Sequence, residues 1–227
     1  MPTPPFTNGP ASEQIAHIRE TLLMMASLAD RNLALAMRAL VERDEKLADA
    51  VEAEDSQLDE LEVSVDELVI NHMATHAPVA TDCRFMLVAS KISSNLERIA
   101  DQATAIARRS RELNKEPLLK PLIDIPRMAQ IAAGMLRDSV TALVDRKPEL
   151  AQDIIKRDKE VDGINKQLAR ELTSFMLEDP ATITRALNLT NIAQRLERIA
   201  DHCKNIAEEV YYLYQAKDIR HERTTSS

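Results

Sequence analysis

The hexapeptide LERIAD occurs twice in the chain, and the two copies lie 100 positions apart. Each copy places a Glu and an Asp four residues apart, as Glu97 with Asp101 and as Glu197 with Asp201. Residues with this spacing on an α-helix lie one turn above each other on the same face. Because like charges at this spacing mildly destabilise a helix, the repeated pairs raise the question of what compensates them.

Two further acidic pairs have the same spacing, namely Asp55 with Asp59 and Asp158 with Asp162. The segment ALVERDEKLADA aligns with ALVDRKPELAQD at an offset of 103 residues, and this offset superposes the two pairs. After a loop that is three residues shorter in the second copy, the offset becomes 100 and LERIAD falls on LERIAD. The sequence therefore predicts an internal duplication, with two acidic pairs in each copy.

The acidic pairs of each copy are expected to share one exterior surface. Around the helices that contain LERIAD, the Glu and Asp of each pair point nearly opposite to the apolar stripe. The other two pairs lie on the flank of the stripes of their own helices. If the two helices of a copy pack side by side, their four carboxylates meet in a surface groove.

Clustered carboxylates are typical ligands of hard or borderline cations. We expect divalent or iron-type ions, whether iron, manganese, magnesium, zinc or calcium, and carboxylate bridges allow multinuclear clusters. The alternative is a solvated acidic face that the duplication copied along with the core. In that case Arg98 and Arg198 form surface ion pairs that contribute little stability. The spacing alone leaves both interpretations open.

The composition predicts an all-α protein. Among 227 residues, 44% are hydrophobic but only 3% are aromatic and Trp is absent, while helix-forming residues are plentiful. Three glycines are too few for a glycine-rich phosphate loop, and a net charge of -8 argues against tracking a nucleic-acid backbone. We recognise no Ser-His-Asp or Cys-His arrangement, so no enzyme is expected.

Prolines divide the chain, because a proline inside a helix removes a hydrogen bond and clashes with the preceding turn. The three prolines between residues 114 and 126 mark a linker, so that 12–115 and 116–216 form two tandem three-helix bundles. Residues 1–11 and 217–227 are predicted to be flexible ends. The six long helices are predicted at about 12–42, 47–75, 81–114, 126–146, 149–177 and 181–216.

The sequence indicates a cytoplasmic protein. The N-terminal MPTPPFTNGP has no basic region followed by an apolar stretch. No apolar run reaches the length of about 18 residues that a membrane span requires. Cys83 and Cys203 lack CxxC spacing, which favours thiols in a reducing compartment over a disulfide.

Two histidines, His72 and His76, are four residues apart and could share a metal ion. The second copy has no counterpart of this pair. A surface position near a helix end is therefore the favoured interpretation.

The two halves, each with LERIAD in its last helix, resemble the PhoU family of bacterial phosphate-transport regulatory proteins. The stretches that carry the resemblance are ATDCRFMLVASKISSNLERIADQATAIA and NIAQRLERIADHCKNIAEEVYYLYQAKDIRH. The similarity spans about residues 12–221. The chain departs from the family pattern at Ala100 and Ala200, where relatives often have Gly.

The resemblance implies a cytoplasmic, non-enzymatic negative regulator of the phosphate-starvation response. Such a regulator connects a phosphate ABC transporter, through its ATPase subunit, with a sensor histidine kinase. It forms homodimers, binds no nucleic acid and reaches the membrane only through its partners. Several family members bind multinuclear metal clusters through D/E-x-x-x-D motifs. Carried onto this chain, the implied metal ligands are Asp55, Asp59, Glu97, Asp101, Asp158, Asp162, Glu197 and Asp201.

Two other interpretations belong to different classes of protein. A carboxylate-bridged di-iron enzyme of the ferritin-like type uses Glu-x-x-His motifs that point into a bundle. Here Ala100 follows Glu97 and Ala200 follows Glu197 at the position of that histidine. The other interpretation is a purely structural helical interaction protein without a ligand.

Overall fold

The computed structural model describes residues 10–220, which fold into α-helices joined by short turns. These residues contain no strand, so the predicted all-α fold is confirmed. None of their helices is both long and apolar enough to cross a membrane. Residues 1–9 and 221–227, which belong to the predicted flexible ends, lie outside the described residues. The helices are α1 (Pro10–Glu42), α2 (Glu45–Ala53), α3 (Asp55–His76), α4 (Ala80–Asn114), α5 (Asp124–Val144), α6 (Leu150–Glu178) and α7 (Ile183–Gln215), the last preceded by a 3₁₀ turn at Pro180–Thr182.

Apolar residues at helical spacing build the core. On α4, the side chains of Val88, Ile92, Leu96, Ile99 and Ile106 are at most 2% exposed. The equivalent stripe of α7 is buried as well. Burying one such side chain contributes roughly 1.5–3 kcal/mol. The two stripes therefore hold α4 and α7 at the centre of the molecule, and the acidic pairs lie off these stripes in part-buried positions.

One predicted helix is two helices in the structure. The helix predicted over residues 47–75 is divided at Glu54, which lies between α2 and α3 with φ −96° and ψ −5°. The Glu54 amide donates to the Val51 carbonyl oxygen at 3.3 Å, a 3₁₀-type bond that tightens the chain. No proline or glycine marks this break in the sequence. As a result Asp55 begins α3, where the helix dipole favours a carboxylate, whereas α6 spans the equivalent stretch without interruption.

The duplication is visible in the backbone. Arg43 and Arg146 are equivalent at the offset of 103 and adopt φ angles of 57° and 56°, which few residues other than glycine tolerate. The Arg43 guanidinium also caps the end of α4. Its Nη2 donates to the carbonyl oxygens of Leu113, Asn114 and Glu116 at 3.2, 2.7 and 2.7 Å. The turn after α1 is thereby fixed to the start of the linker.

The two bundles meet along α4 and α7. Arg195 Nη1 donates to Gln102 Oε1 at 2.9 Å, and His202 Nδ1 lies 3.0 Å from Asn95 Oδ1. Because residue numbers rise along one helix while they fall along the other, α4 and α7 are antiparallel. α1 packs against α5 as a second contact between the halves. The buried residues of both bundles form one continuous core.

Candidate metal centre and its counterpart

The first half brings its two acidic pairs to one surface. Asp55 and Asp59 lie one turn apart at the start of α3, and Glu97 and Asp101 lie one turn apart on α4, which packs against α3. Thr104 Oγ1 donates to Asp55 Oδ1 at 2.9 Å and so ties the start of α3 to α4. Burial, followed by the charges of Asp55 and Asp59, raises the pKa of Asp101. The four carboxylates are therefore within electrostatic range of one another.

Glu97 is the most perturbed carboxylate of this cluster. Its side chain is 14% exposed. Burial, followed by the charge of Asp101, raises the pKa of Glu97 to about 7, and the charges of Glu62 and Asp59 act in the same direction. Arg98 Nε lies 3.3 Å from Glu97 Oε2 and opposes the shift. Oε2 is buried and makes no hydrogen bond among the described residues, so the ion pair with Arg98 is its one charged contact there that the geometry shows.

The second half assembles the equivalent set. Asp158 and Asp162 lie on α6, and Glu197 and Asp201 lie on α7, which packs against α6. Burial, followed by the charges of Asp162 and Asp201, raises the pKa of Glu197. Asp158 is the most buried member, at 8% exposure. These four carboxylates also lie within electrostatic range of one another.

A lysine that the sequence analysis missed bridges the second set. Lys204 Nζ donates to Asp158 Oδ2 at 3.0 Å and to Asp201 Oδ1 at 2.5 Å. Burial by itself would lower the pKa of Lys204, but the hydrogen bonds to Asp201 and Asp158 outweigh it and raise this pKa. The pKa of Asp158 is raised too, because its burial outweighs the hydrogen bond from a single ammonium group. The feature of the sequence that points to Lys204 is its alignment with the uncharged Thr104 at the offset of 100, one turn after the acidic pair in each half.

Comparison with known proteins identifies the family. The family model of the PhoU domain matches residues 22–110 and 125–210, one match in each half. The chain belongs to the PhoU family. A protein from Pseudomonas putida named "phosphate-specific transport system accessory protein PhoU homolog" is 35% identical over 209 residues, which cover 92% of this chain and 82% of that protein. The protein of the same name from Aquifex aeolicus is 37% identical over 210 residues, which cover 92% and 95% of the two chains.

Solved structures support the same assignment. The crystal structure of PhoU from Pseudomonas aeruginosa matches with a TM-score of 0.88 at 33% identity, covering 91% of this chain and 99% of that chain. The crystal structure of the phosphate transport system regulatory protein PhoU from Streptococcus pneumoniae matches with a TM-score of 0.85 at 22% identity, covering 92% and 99%. At that identity the second match shows the fold alone. The resemblance to PhoU seen in the sequence is thus confirmed.

The metal that the PhoU resemblance implies fits the two halves unequally. Within residues 10–220, no three His, Cys, Asp or Glu side chains converge closely enough to hold a metal ion as they stand, so the ligand sets remain predictions. In the first half, the oxygen donors, among them Glu97 Oε2, which makes no hydrogen bond with the described residues, suit a hard cation once the side chains rotate onto it. In the second half, Lys204 already donates to two of the four carboxylates. That set does not fit a metal in the same way.

The LERIAD helices do not have the Glu-x-x-His histidines that the ferritin-like alternative requires. Ala100 and Ala200, at the positions of the required histidines, are 2% and 0% exposed and pack in the core. His202 is turned toward α4, with Nδ1 3.0 Å from Asn95 Oδ1. The Glu-x-x-His arrangement of a di-iron enzyme is therefore absent from both LERIAD helices.

Proposed function

We propose that this PhoU-family chain is a negative regulator of the phosphate-starvation response. It acts on the cytoplasmic side as an adaptor between the ATPase subunit of a phosphate ABC transporter and a sensor histidine kinase, and so controls phosphate uptake. The observation that carries the proposal is the family match in both halves. Relatives that cover 92% of the chain are named accessory proteins of the phosphate-specific transport system. The proposed mode of action is binding, not catalysis.

Deletion of the gene tests the regulatory role. A reporter driven by a phosphate-scavenging promoter is measured in phosphate-rich medium, with and without a plasmid that encodes the full chain. We expect constitutive reporter expression in the deletion strain and renewed repression with the plasmid. Continued repression in the deletion strain that carries the empty plasmid contradicts the proposal.

The proposal includes a metal ion held by the first half. Asp55, Asp59, Glu97 and Asp101 supply oxygen ligands of the kind that iron, manganese, magnesium or calcium ions take. The supporting observation is the buried Glu97 Oε2, which has no hydrogen-bond partner among the described residues. A bound cation would neutralise the mutually repelling carboxylates, and this role needs no catalytic step.

Elemental analysis of the purified full-length protein tests the metal site. After dialysis against Mn²⁺ or anaerobic Fe²⁺, the wild type is expected to retain metal, and the Glu97→Gln, Asp101→Asn double variant is expected to retain much less. Glu67→Gln is the matched control, because Glu67 is an exposed carboxylate on α3 outside the cluster. Equal metal content in the wild type and the double variant contradicts this site.

Docking of the kinase is tested separately with its purified cytoplasmic part. The Asp59→Ala, Glu97→Ala double variant is expected to bind this partner at least about tenfold more weakly than the wild type, a loss of about 1.4 kcal/mol. A Glu67→Ala variant should bind like the wild type. If the double variant and the wild type bind equally well, the acidic surface is not the docking surface.

We also propose a homodimer. α3 exposes Val63, Ile70 and Met73, which are 57%, 67% and 51% exposed and are spaced so that they share one helix face. Such a stripe offers an apolar surface to a second copy. Light scattering after size exclusion should give about twice the chain mass of 25.5 kDa. Ile70→Glu should shift the mass toward one chain, and a wild type that runs as one chain contradicts the dimer.

A further inference from the structure

The two halves of this duplicated molecule differ at the position of Lys204, which aligns with Thr104 at the offset of 100. We propose that Lys204 serves as the built-in cation of the second half, so that the first half alone binds a metal ion. The inference deepens the metal site proposed above and rests on it for the first half. It revises the expectation of eight metal ligands to four, because a lysine takes the place of a metal between Asp158 and Asp201.

The position of Lys204 supports this role. Its Nζ lies 3.0 Å from Asp158 Oδ2 on α6 and 2.5 Å from Asp201 Oδ1 on α7, so one ammonium group joins the two acidic helices. The Lys204 side chain is 23% exposed and that of Asp158 is 11% exposed. A partly buried ion pair of this kind is screened by solvent much less than a surface pair. The ammonium group of Lys204 therefore offsets part of the negative charge of Asp158 and Asp201 without a bound ion.

The equivalent position in the first half carries no charge. Thr104, which aligns with Lys204, donates one hydrogen bond from Oγ1 to Asp55 Oδ1 at 2.9 Å. A hydroxyl group satisfies one oxygen but leaves the charge of the cluster unchanged. The nearby cations are at the rim: Arg108 Nη2 lies 3.6 Å from Asp55 Oδ2 with its side chain 60% exposed, and the side chain of Arg98 is 59% exposed. In the first half a metal ion would neutralise the carboxylates, as Lys204 does in the second half.

A metal ion in the second half would compete with the lysine. Any cation bound by Asp158 and Asp201 would lie within a few ångströms of an ammonium group that the same two carboxylates hold. Like charges at such a distance repel strongly in a partly buried site. The metal would have to displace Lys204 and leave its charge without these partners. The second set is therefore selective against metal, although its carboxylates match those of the first set.

Reciprocal exchange of the two equivalent residues tests the inference in the full-length protein. Lys204→Thr gives the second half the residue of the first, and Thr104→Lys gives the first half the residue of the second. Mn²⁺ binding is measured by titration and by elemental analysis, and thermal unfolding is followed with chelator and with Mn²⁺. Lys166→Thr is the control for loss of one positive charge, because Lys166 is exposed on α6.

We expect Lys204→Thr to gain a second Mn²⁺-binding event that Asp158→Asn removes, and Lys166→Thr to gain none. Thr104→Lys should bind Mn²⁺ at the first half at least about tenfold more weakly than the wild type does. In chelator, Lys204→Thr should unfold at a lower temperature than the wild type, since Asp158 loses its ion pair. Mn²⁺ should raise the unfolding temperature of Lys204→Thr more than that of the wild type.

Three results would overturn the inference. In the first, Asp158→Asn lowers the metal content of the wild type as much as Asp101→Asn does. In the second, the wild type loads metal at the first half but Lys204→Thr gains none. In the third, neither protein binds metal at all. If the first half of the wild type stays metal-free while Lys204→Thr gains Asp158-dependent binding, the first-half site fails and the role of Lys204 stands.

Discussion

His72 shows how a tertiary neighbour changes the role of a single residue. Its sequence position near the end of α3 predicted a surface histidine, and this prediction is wrong. The residue is 1% exposed, and its Nδ1 lies 3.0 Å from Gln14 Oε1 on α1. Its ring stacks on that of His76 with 4.9 Å between centroids. The spacing of residues within α3 holds no information on the helix that covers its end.

The burial of His72 predicts acid-sensitive stability. Burial, followed by the charge of His76, lowers the pKa of His72, while Asp82 acts in the opposite direction. The unfolded chain takes up this proton near pH 6.5, above the folded-state pKa. The stabilising contribution is therefore complete above about pH 6.5 and is lost as the pH falls through the folded-state pKa.

Urea unfolding at pH 7.5 and at pH 5.5 checks this prediction. The raised pKa of Glu97 adds stability over the same interval, so the effect of His72 is read from the difference between the proteins: as the pH falls, the midpoint of His72→Gln should fall less, or rise more, than that of the wild type. His17→Gln is the control, since His17 is exposed on α1. The prediction fails if His72→Gln and His17→Gln show the same pH dependence.

At the scale of elements, the turn after α1 has two opposing effects on stability. Arg43 holds a φ of 57°, which costs free energy in a residue with a side chain. Its guanidinium in return donates hydrogen bonds to three carbonyl oxygens at the end of α4 and beyond. Hydrogen bonds from charged groups contribute about 1.5–3 kcal/mol each at most, and shared donors contribute less than their sum.

Substitutions of Arg43 separate these two effects. Arg43→Ala keeps the unfavourable backbone angle and loses the cap, so we expect a loss of about 1–3 kcal/mol in the free energy of unfolding. Arg43→Gly loses the same cap but relieves the backbone, so it should be more stable than Arg43→Ala by about 1 kcal/mol. Denaturant unfolding of the three proteins checks the order. If the alanine variant equals the wild type, the cap contributes nothing.

The break between α2 and α3 is the clearest divergence of the duplicated elements. The second half keeps one continuous α6, while the first half ends α2 at Ala53 and begins α3 at Asp55. Periodicity predicts one helix here because neither proline nor glycine interrupts the pattern. The break moves Asp55 to a helix start, within 2.9 Å of the Thr104 hydroxyl oxygen. Packing of α2 and α3 on α4 is a tertiary property, so the sequence pattern did not contain it.

At the scale of the whole molecule, α4 and α7 form a shared centre for both bundles. The buried side chains form one core that crosses the boundary between the halves. We expect a single cooperative unfolding transition, because neither bundle can lose its inner helix without exposing the core of the other. Leu96 and Leu196, equivalent in the two halves, are 1% and 0% exposed and provide a matched test.

Leu96→Ala and Leu196→Ala are each expected to destabilise the fold by about 2–5 kcal/mol. Because the core is continuous, each variant should move one common transition rather than split it in two. Calorimetry together with circular dichroism during thermal unfolding checks both points. Two separate transitions, with only one shifted by each variant, would show that the halves fold independently.

By itself the sequence determined the all-α fold, the duplication and the placement of the LERIAD carboxylates off the apolar stripe, because apolar periodicity within a helix sets which face is buried. Residue spacing also indicated which acidic pairs belong to the same half. Only the tertiary structure decided the break at Glu54, the burial of His72 and the bridge from Lys204 to Asp158. Each of these features depends on how a helix packs against another that is 46 or more residues away in the chain, or on the turn at a helix end. The apolar period of a single helix does not encode such contacts.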